Sequence, residues 1–255
     1  MIAMMLNVLL TNDDGFYAEG LQTLYTELRQ CSNTRTTIVA PDRERSAVGH
    51  GITMHQPLRI SEIMLDGSRN WSVDGTPSDC VKLALDYLLI KDPPDIIISG
   101  INRGPNLGND VLYSGTVSAA IEGKFNSIPS IAVSLSGYGN VHFKPAAEFI
   151  CSYISNLKDL AQSAVLNINF PYIDSFKGVR FTRLGARLYE NVFEERRDPR
   201  NQIYLWMGGS PKILPQPSDS DVAAIEEGYV SITPLHFDLT DYRFLVENND
   251  LDWKG

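Results

Sequence analysis

Two rhythms of apolar residues alternate along the first two-thirds of the chain. Short β-branched runs, nearly unbroken by polar residues, are separated by stretches whose apolar positions recur at helical spacing. The runs predict strands at Leu6–Thr11, Thr36–Ala40, Asp95–Ser99, Ser130–Leu135 and Val165–Asn169, the last of them closing the core at Pro171. The helical spacing predicts Glu19–Gln30, with Leu21, Leu24 and Leu28 on one face, then Pro77 to about Ile90, Thr116–Phe125 and His142–Asn156. Thr76-Pro77-Ser78-Asp79 supplies an N-cap, a proline at the first helical position and an acid at the third, and Pro93-Pro94 is the stop. Residues 52–60 read as extended chain. Strands that are apolar on both faces, alternating with helices, imply a parallel sheet covered on both sides. The fold class expected is α/β, a Rossmann-like three-layer core with a mostly parallel sheet.

After Gly137 the rhythm weakens. Val179 to Met207 sets aromatic and β-branched residues around the charged stretch Glu194–Arg200, which predicts long antiparallel strands or a projecting β-hairpin. Ile213 to Asp221 reads as loop, Asp221 to Gly228 as a helical turn and Val230 to Ile232 as a strand. The expectation is one domain over residues 1–255, with a core at about 6–178 and a hairpin plus C-terminal oligomerisation region at about 179–255. An arm in a chain of this size reads as a contact for another subunit.

Composition narrows the partners. A formal charge of -9 and a pI near 4.9 argue against a nucleic-acid duplex or an anionic membrane as the main partner. Cys31, Cys80 and Cys151 lie far apart, show neither metal-ligand spacing nor a disulfide framework, and read as buried thiols in a reducing compartment. The opening MIAMMLNVLL is apolar but short, and it lacks a basic n-region and a small-residue cleavage site. It reads as a terminus feeding the first strand, and the location expected is cytoplasmic.

The chemistry concentrates where strands end. Thr11-Asn12-Asp13-Asp14-Gly15 places two adjacent acids where a buried strand opens into a turn. Like charges repel and burial disfavours both, and a divalent cation is the common remedy. Asp42-Arg43-Glu44-Arg45-Ser46 follows the second strand, Ser99 to Asn106 follows Ile96-Ile97-Ile98, and Tyr113-Ser114-Gly115-Thr116 opens a helix. A doubly wound sheet would bring these segments to one edge. Carboxylates from Asp13 and Asp14, the Asn102 carbonyl and the Ser46 hydroxyl form an all-oxygen donor set suited to Mg²⁺ or Mn²⁺. Glycines between Gly100 and Gly108 let backbone approach an anion, and Ser114-Gly115-Thr116 offers hydroxyls and amides at a helix N-terminus. Turn capping accounts equally for Ser46 and Asn102 taken singly. Asp74-Gly75-Thr76 is explained by helix capping, and His50, His55, His142 and His236 form no HExxH and no evident triad.

With these residues in view, the chain resembles the survival protein SurE family of nucleotidases. The likeness rests on LLTNDDG, on VAPDRERSAVG from Val39 to Gly49, and on GTPSDCV from Gly75 to Val81. It continues through DIIISGINRGPNLGNDVLYSGTVSAAIEG from Asp95 to Gly123 and ends with GYVSITPLHFDLT from Gly228 to Thr240. The resemblance implies a metal-dependent phosphomonoesterase acting on nucleoside 5′- and 3′-monophosphates, with a possible exopolyphosphatase side activity. It implies one divalent cation (Mn²⁺ or Mg²⁺) per subunit held by Asp13, Asp14, Ser46 and Asn102, with Asp13, Asp14 and Asn102 catalytic. It implies phosphate contacts from Asn106, Ser114, Gly115 and Thr116, and assembly as a homodimer or homotetramer. Where the family usually has Asp-Pro-Arg-Gly in the projecting segment, this chain has Asn201 after Asp198-Pro199-Arg200. A phosphatase of other small phosphomonoesters and a non-catalytic nucleotide-binding module are the alternatives.

Overall fold

The architecture comes from a computed structural model, which describes residues 5–248 apart from 32, 138, 140, 174, 191 and 213. The opening residues read as a terminus, the start of the Ile213 loop and the C-terminal end lie outside that range. The first half runs β1 (Leu6–Thr11), α1 (Glu19–Gln30), β2 (Thr34–Pro41), β3 (Ile60–Leu65), β4 (Ser68–Val73), α2 (Pro77–Leu83) and β5 (Ile96–Arg103). Then come α3 (Gly115–Phe125), β6 (Ser130–Ser136), α4 (Lys144–Leu160), β7 (Val165–Pro171) and β8 (Val179–Phe181). The remainder is β9 (Leu188–Glu190), β10 (Phe193–Arg197), β11 (Ile203–Met207), β12 (Ser210–Lys212), α5 (Asp221–Glu226), β13 (Val230–Leu235) and α6 (Tyr242–Asn248). Among the described residues, no helix is long and apolar enough to cross a membrane.

The central sheet has nine strands in the order β3-β4-β2-β1-β5-β6-β7-β13-β8. From β4 to β7 every neighbouring pair is parallel. Winding runs outward from β1 in one direction through β2 and β4, and in the other through β5, β6 and β7. The sheet therefore reverses between β1 and β5, the kind of crevice where such folds bind ligands.

Side-chain alternation builds the layers. Val8, Leu10, Ile96 and Ile98 point into one core with Leu21, Leu24 and Leu28 of α1 and Ile150 of α4. The intervening Leu9 and Ile97 point to the opposite face, where Val81 of α2 and Ala119 of α3 cover them. Period-two alternation with apolar residues on both faces is why these strands read as continuous runs. The capping box at α2 is present: Asp79 N donates to Thr76 Oγ1 at 3.1 Å and Thr76 N to Asp79 Oδ2 at 2.8 Å. The α-helix stops at Leu83, however, and a wider π turn, Ala84–Leu88, continues it to the prolines.

Three expectations change. The segment 52–60 is mostly irregular, and the pairing lies further on, in an antiparallel β3–β4 hairpin turning at Asp66-Gly67. Both turn residues have positive φ, 50° and 78°, which an Asp-Gly pair accommodates. Second, β7 does not close the core: β13 pairs antiparallel with it and β8 parallel with β13, so the central sheet reaches past residue 178. Third, Cys31 and Cys151 are joined as a disulfide between the end of α1 and α4, with Cα atoms 6.4 Å apart across a sequence separation of 120. Helix packing makes that neighbourhood, and no local spacing signals it. Cys80 is the buried free thiol expected.

The arm is one long hairpin, with β9 paired to β12 near the core and β10 to β11 beyond it. All residues of β10 and β11 are exposed, including Phe193, Leu205, Trp206 and Met207. Asn201 sits at φ 63°, a left-handed conformation that asparagine tolerates better than other side-chain-bearing residues. Asp198 Oδ1 accepts from Arg200 N and Gln202 N, both at 2.8 Å, so the turn closes without glycine.

The close seating of α1 on β5 depends on one small residue. A Cβ at Gly20 would collide with the Ile101 carbonyl oxygen. Gly20→Ala should therefore lower the urea unfolding midpoint by the equivalent of about 1–3 kcal/mol. An unchanged midpoint would contradict the close approach.

Candidate functional site

The two acids stand at the reversal point of the sheet. β1 ends at Thr11, and a tight turn follows in which Asn12 Nδ2 donates to the Gly15 carbonyl at 2.9 Å while Gly15 N donates back to Asn12 Oδ1 at 3.2 Å. Asn12 thus spends its side chain on the turn and presents Asp13 and Asp14. Asp13 is buried and Asp14 half-buried.

Each acid meets a different neighbour. Thr116 Oγ1 donates to Asp13 Oδ1 at 2.5 Å, and Arg103 N donates to Asp14 Oδ2 at 3.3 Å. Burial pushes the Asp13 carboxyl up to about 6; the Thr116 hydrogen bond pulls against this, and the charge of Asp14 adds to it. Asp14 is also raised, chiefly by burial, against the pull of the Arg103 amide. Two adjacent carboxyls, both harder to ionise than usual, form a site that gains by receiving positive charge.

The other sequence-predicted residues arrive on three loops. Arg45 N donates to the Asp13 carbonyl at 2.7 Å, tying the loop after β2 to the acids one residue before Ser46. Ser46 itself is exposed, and its hydroxyl donates to Glu44 at 2.8 Å. Asn102, at the end of β5, donates through Nδ2 to the Gly104 carbonyl at 2.9 Å; among the described residues its Oδ1 accepts nothing. A β-bulge between Ser99 and Asn102 re-aims this strand end.

Ser114 is the N-cap of α3, accepting from Val117 N at 3.0 Å. Gly115 lies directly against the acids: a Cβ there would come within 2.9 Å of Asp13 Cβ and 3.0 Å of Asp13 Oδ2. Thr116, read from the sequence as a phosphate contact, donates its hydroxyl to Asp13. The residues expected to hold a cation and those expected to meet phosphate are therefore in contact at Asp13–Thr116.

Asn106 is buried and held on all sides. Its N donates to Asn169 Oδ1 at 2.9 Å, its Nδ2 to Ser134 Oγ at 2.8 Å, and its carbonyl accepts from Asn167 at 2.8 Å and Asn169 at 3.0 Å. Sequence reasoning did not single out Ser134, Asn167 or Asn169. A signal was present: Asn167 and Asn169 are two apart in an otherwise apolar strand, so both face the same side of the sheet.

The arginines are engaged elsewhere. Arg103 pairs with Glu19 at 3.1 Å, Arg45 with Asp42 at 3.0 Å, and Arg43 lies 4.0 Å from Asp42. Among the described residues no group of three or more His, Cys, Asp or Glu side chains could hold a metal. The two acids here are joined by a hydroxyl and an amide rather than by a third residue of those types. An apolar cavity of about 720 Å³ opens beside α3 against Phe125 and Phe237, and it contains none of these residues.

Comparison with known proteins follows the same path along the chain. The "Survival protein SurE" family matches residues 8–191. The "5'-nucleotidase SurE" of Syntrophomonas wolfei is 52% identical over 248 residues, covering 95% of this chain and 92% of that protein. The protein of the same name from Carboxydothermus hydrogenoformans is 50% identical over 250 residues, covering 95% of this chain and 94% of its own. The crystal structure of the SurE protein from Aquifex aeolicus superposes with a TM-score of 0.80 at 36% identity, covering 94% of this chain and 97% of that one. By motif, by sequence and by fold, the chain belongs to the SurE family.

Proposed function

We propose that this protein is a divalent-metal-dependent phosphomonoesterase that hydrolyses nucleoside 5′-monophosphates, and 3′-monophosphates also, to nucleoside and phosphate. The observation that carries the reading is the junction of Asp13 and Asp14 with the N-terminus of α3 at the sheet's reversal point. Its relatives carry the name 5′-nucleotidase at about half identity over most of the chain. A shortening activity on polyphosphate fits the same site, which needs only a terminal phosphate.

The donor set fits a hard cation. Asp13, Asp14, Ser46 and Asn102 offer oxygen and neither sulfur nor imidazole, which favours Mg²⁺ or Mn²⁺. When bound, such an ion supplies positive charge at the phosphoryl oxygens and makes water a better nucleophile. The chain's own residues do the rest. The amide of Gly115 and the hydroxyl of Ser114 sit at the positive end of α3 and stabilise the remaining phosphoryl oxygens as their charge changes. Asn106, clamped by Ser134, Asn167 and Asn169, presents a fixed contact that costs no reordering during the reaction. Thr116 orients Asp13, and the Arg103 amide orients Asp14. Direct attack by water is favoured over a phosphoserine or phosphocysteine intermediate, because among the described residues no hydrogen bond joins a serine or cysteine to a histidine and His50 bonds Glu122 instead. A phosphoaspartate trapped by rapid quench would contradict the direct route. The exposed apolar residues of the arm, together with α6, which buries none of its residues, support assembly as a homodimer or homotetramer.

Metal-stripped protein should release phosphate from nucleoside 5′- and 3′-monophosphates only after Mn²⁺ or Mg²⁺ is restored. Asp14→Ala should lose about 10²-fold or more of that rate. Turnover confined to sugar phosphates would move the assignment to another phosphomonoesterase. Nucleotide binding without phosphate release would make the protein a binding module.

The raised Asp13 carboxyl yields a second expectation. Between its ordinary value of 3.8 and about 6, the folded chain holds a proton that the unfolded chain has lost. Stability of the metal-free protein should therefore fall as pH rises through that window and stay low above it, by up to about 3 kcal/mol. Asp13→Asn removes this cost, so metal-free Asp13→Asn should melt above wild type at about pH 8 and level with it at about pH 3.5. Added Mn²⁺ should stabilise wild type far more than the variant. A metal-free variant that melts below wild type at the higher pH would refute the electrostatic account.

A further inference from the structure

The arm and the anion-binding loop are joined at their roots. The short 3₁₀ turn Gly108–Leu112 leads into Ser114-Gly115-Thr116, and its polar contacts go to the segment where the arm begins. Asn109 and Arg187 bond reciprocally: Asn109 Nδ2 donates to the Arg187 carbonyl at 2.9 Å, and Arg187 N donates to Asn109 Oδ1 at 2.8 Å. Asp110 Oδ2 accepts from both Arg187 Nη1 at 2.7 Å and the Tyr189 hydroxyl at 2.6 Å. Behind them the buried Asp221 carboxylate accepts from Gly108 N at 2.8 Å and from Gly185 N at 2.7 Å. A Cβ on Gly108 would sit 2.7 Å from the Gly185 carbonyl, so the two segments pack without slack.

This contact differs from the surface ion pairs elsewhere. The Arg187 and Asp110 side chains are 15% and 18% exposed, against 33% and 51% for Arg180–Glu227. A partly desolvated pair with a second donor on the same oxygen fixes direction as well as distance. From Asp110 the path to the site is short. Tyr113 N donates to the Asp110 carbonyl at 3.0 Å, and Ser114 is the next residue.

We infer that Asp110, Arg187 and Tyr189 are positioning residues, which hold the start of α3 and its phosphate donors in register from the root of the arm. The inference rests on the phosphatase reading of the site. Whatever engages the arm then bears on the donors through this clamp. Displacement by a fraction of an ångström would lower turnover more than it weakens cation binding, because Asp14, Ser46 and Asn102 lie on other segments and only Asp13 touches the start of α3.

The test uses the full chain with a nucleoside 5′-monophosphate and Mn²⁺. Arg187→Ala should lower kcat about 10-fold, with calorimetric Mn²⁺ affinity falling by a much smaller factor. Arg187→Lys, which keeps a charge opposite Asp110, should recover a large part of the loss. Arg180→Ala, removing an ion pair remote from the turn, should leave kcat at the wild-type value. Amide exchange over residues 108–116 should quicken in Arg187→Ala, a readout that needs no turnover. Wild-type kcat and unchanged exchange in a folded Arg187→Ala would overturn the inference. If that variant fails to fold, Tyr189→Phe decides: a several-fold fall in kcat supports the clamp and an unchanged kcat overturns it. A silent wild type would instead overturn the phosphatase reading, and the exchange comparison would then still decide whether the clamp holds the turn.

Discussion

Two adjacent carboxyls at the mouth of a parallel sheet repel each other and lose hydration, and the surrounding structure is arranged around that conflict. Asp13 lies two residues past the end of β1, whose last four residues are buried, so it cannot swing out to water without unthreading the strand end. The conflict is eased from two elements, by the Thr116 hydroxyl at the N-terminus of α3 and by the Arg103 amide at the end of β5. Neither removes the charge problem, since the Asp13 carboxyl remains pushed up to about 6. A stretch of chain that is costly when empty is a natural place for a cation, and the cost is part of what makes binding favourable there.

Rigidity around the acids is achieved by close approach rather than by bulk. Gly20 lets α1 rest on β5, Gly115 lets α3 rest on Asp13, and Gly108 lets the loop rest on the arm root. At each point a single methyl group would force the elements apart. Polar side chains then fix what the glycines bring together. Ser134, Asn167 and Asn169 grip Asn106 from two neighbouring strands, and Asp221 grips Gly108 from α5. The site is thus assembled from loops but referenced to the sheet.

What could be read beforehand followed local rules. The strands β1, β2, β5, β6 and β7, the helices α1 and α3, and the start of α2 were legible because alternation, helical spacing and capping act within a few residues. The β3–β4 hairpin was passed over although Asp66-Gly67 is a strong turn pair, because its strands expose most of one face and lack a long apolar run. β8 and β13 were misplaced relative to the core because a three-residue and a six-residue strand carry little signal of which neighbour they join. The Cys31–Cys151 pairing was invisible because packing of α1 on α4, not spacing, brings the two together.

The sequence by itself determined the fold class, the polar residues at the strand ends and the kind of ligand they suit. Those follow from side-chain chemistry and short-range periodicity, which each residue carries wherever it is placed. Only the tertiary structure decided that the sheet reverses between β1 and β5, that Thr116 serves Asp13, that three buried polar residues hold Asn106, and that the arm root clamps the loop beside α3. These are contacts between residues tens of positions apart. They are set by strand order and by how closely helices can approach the sheet, and neither quantity is written in any local stretch of chain.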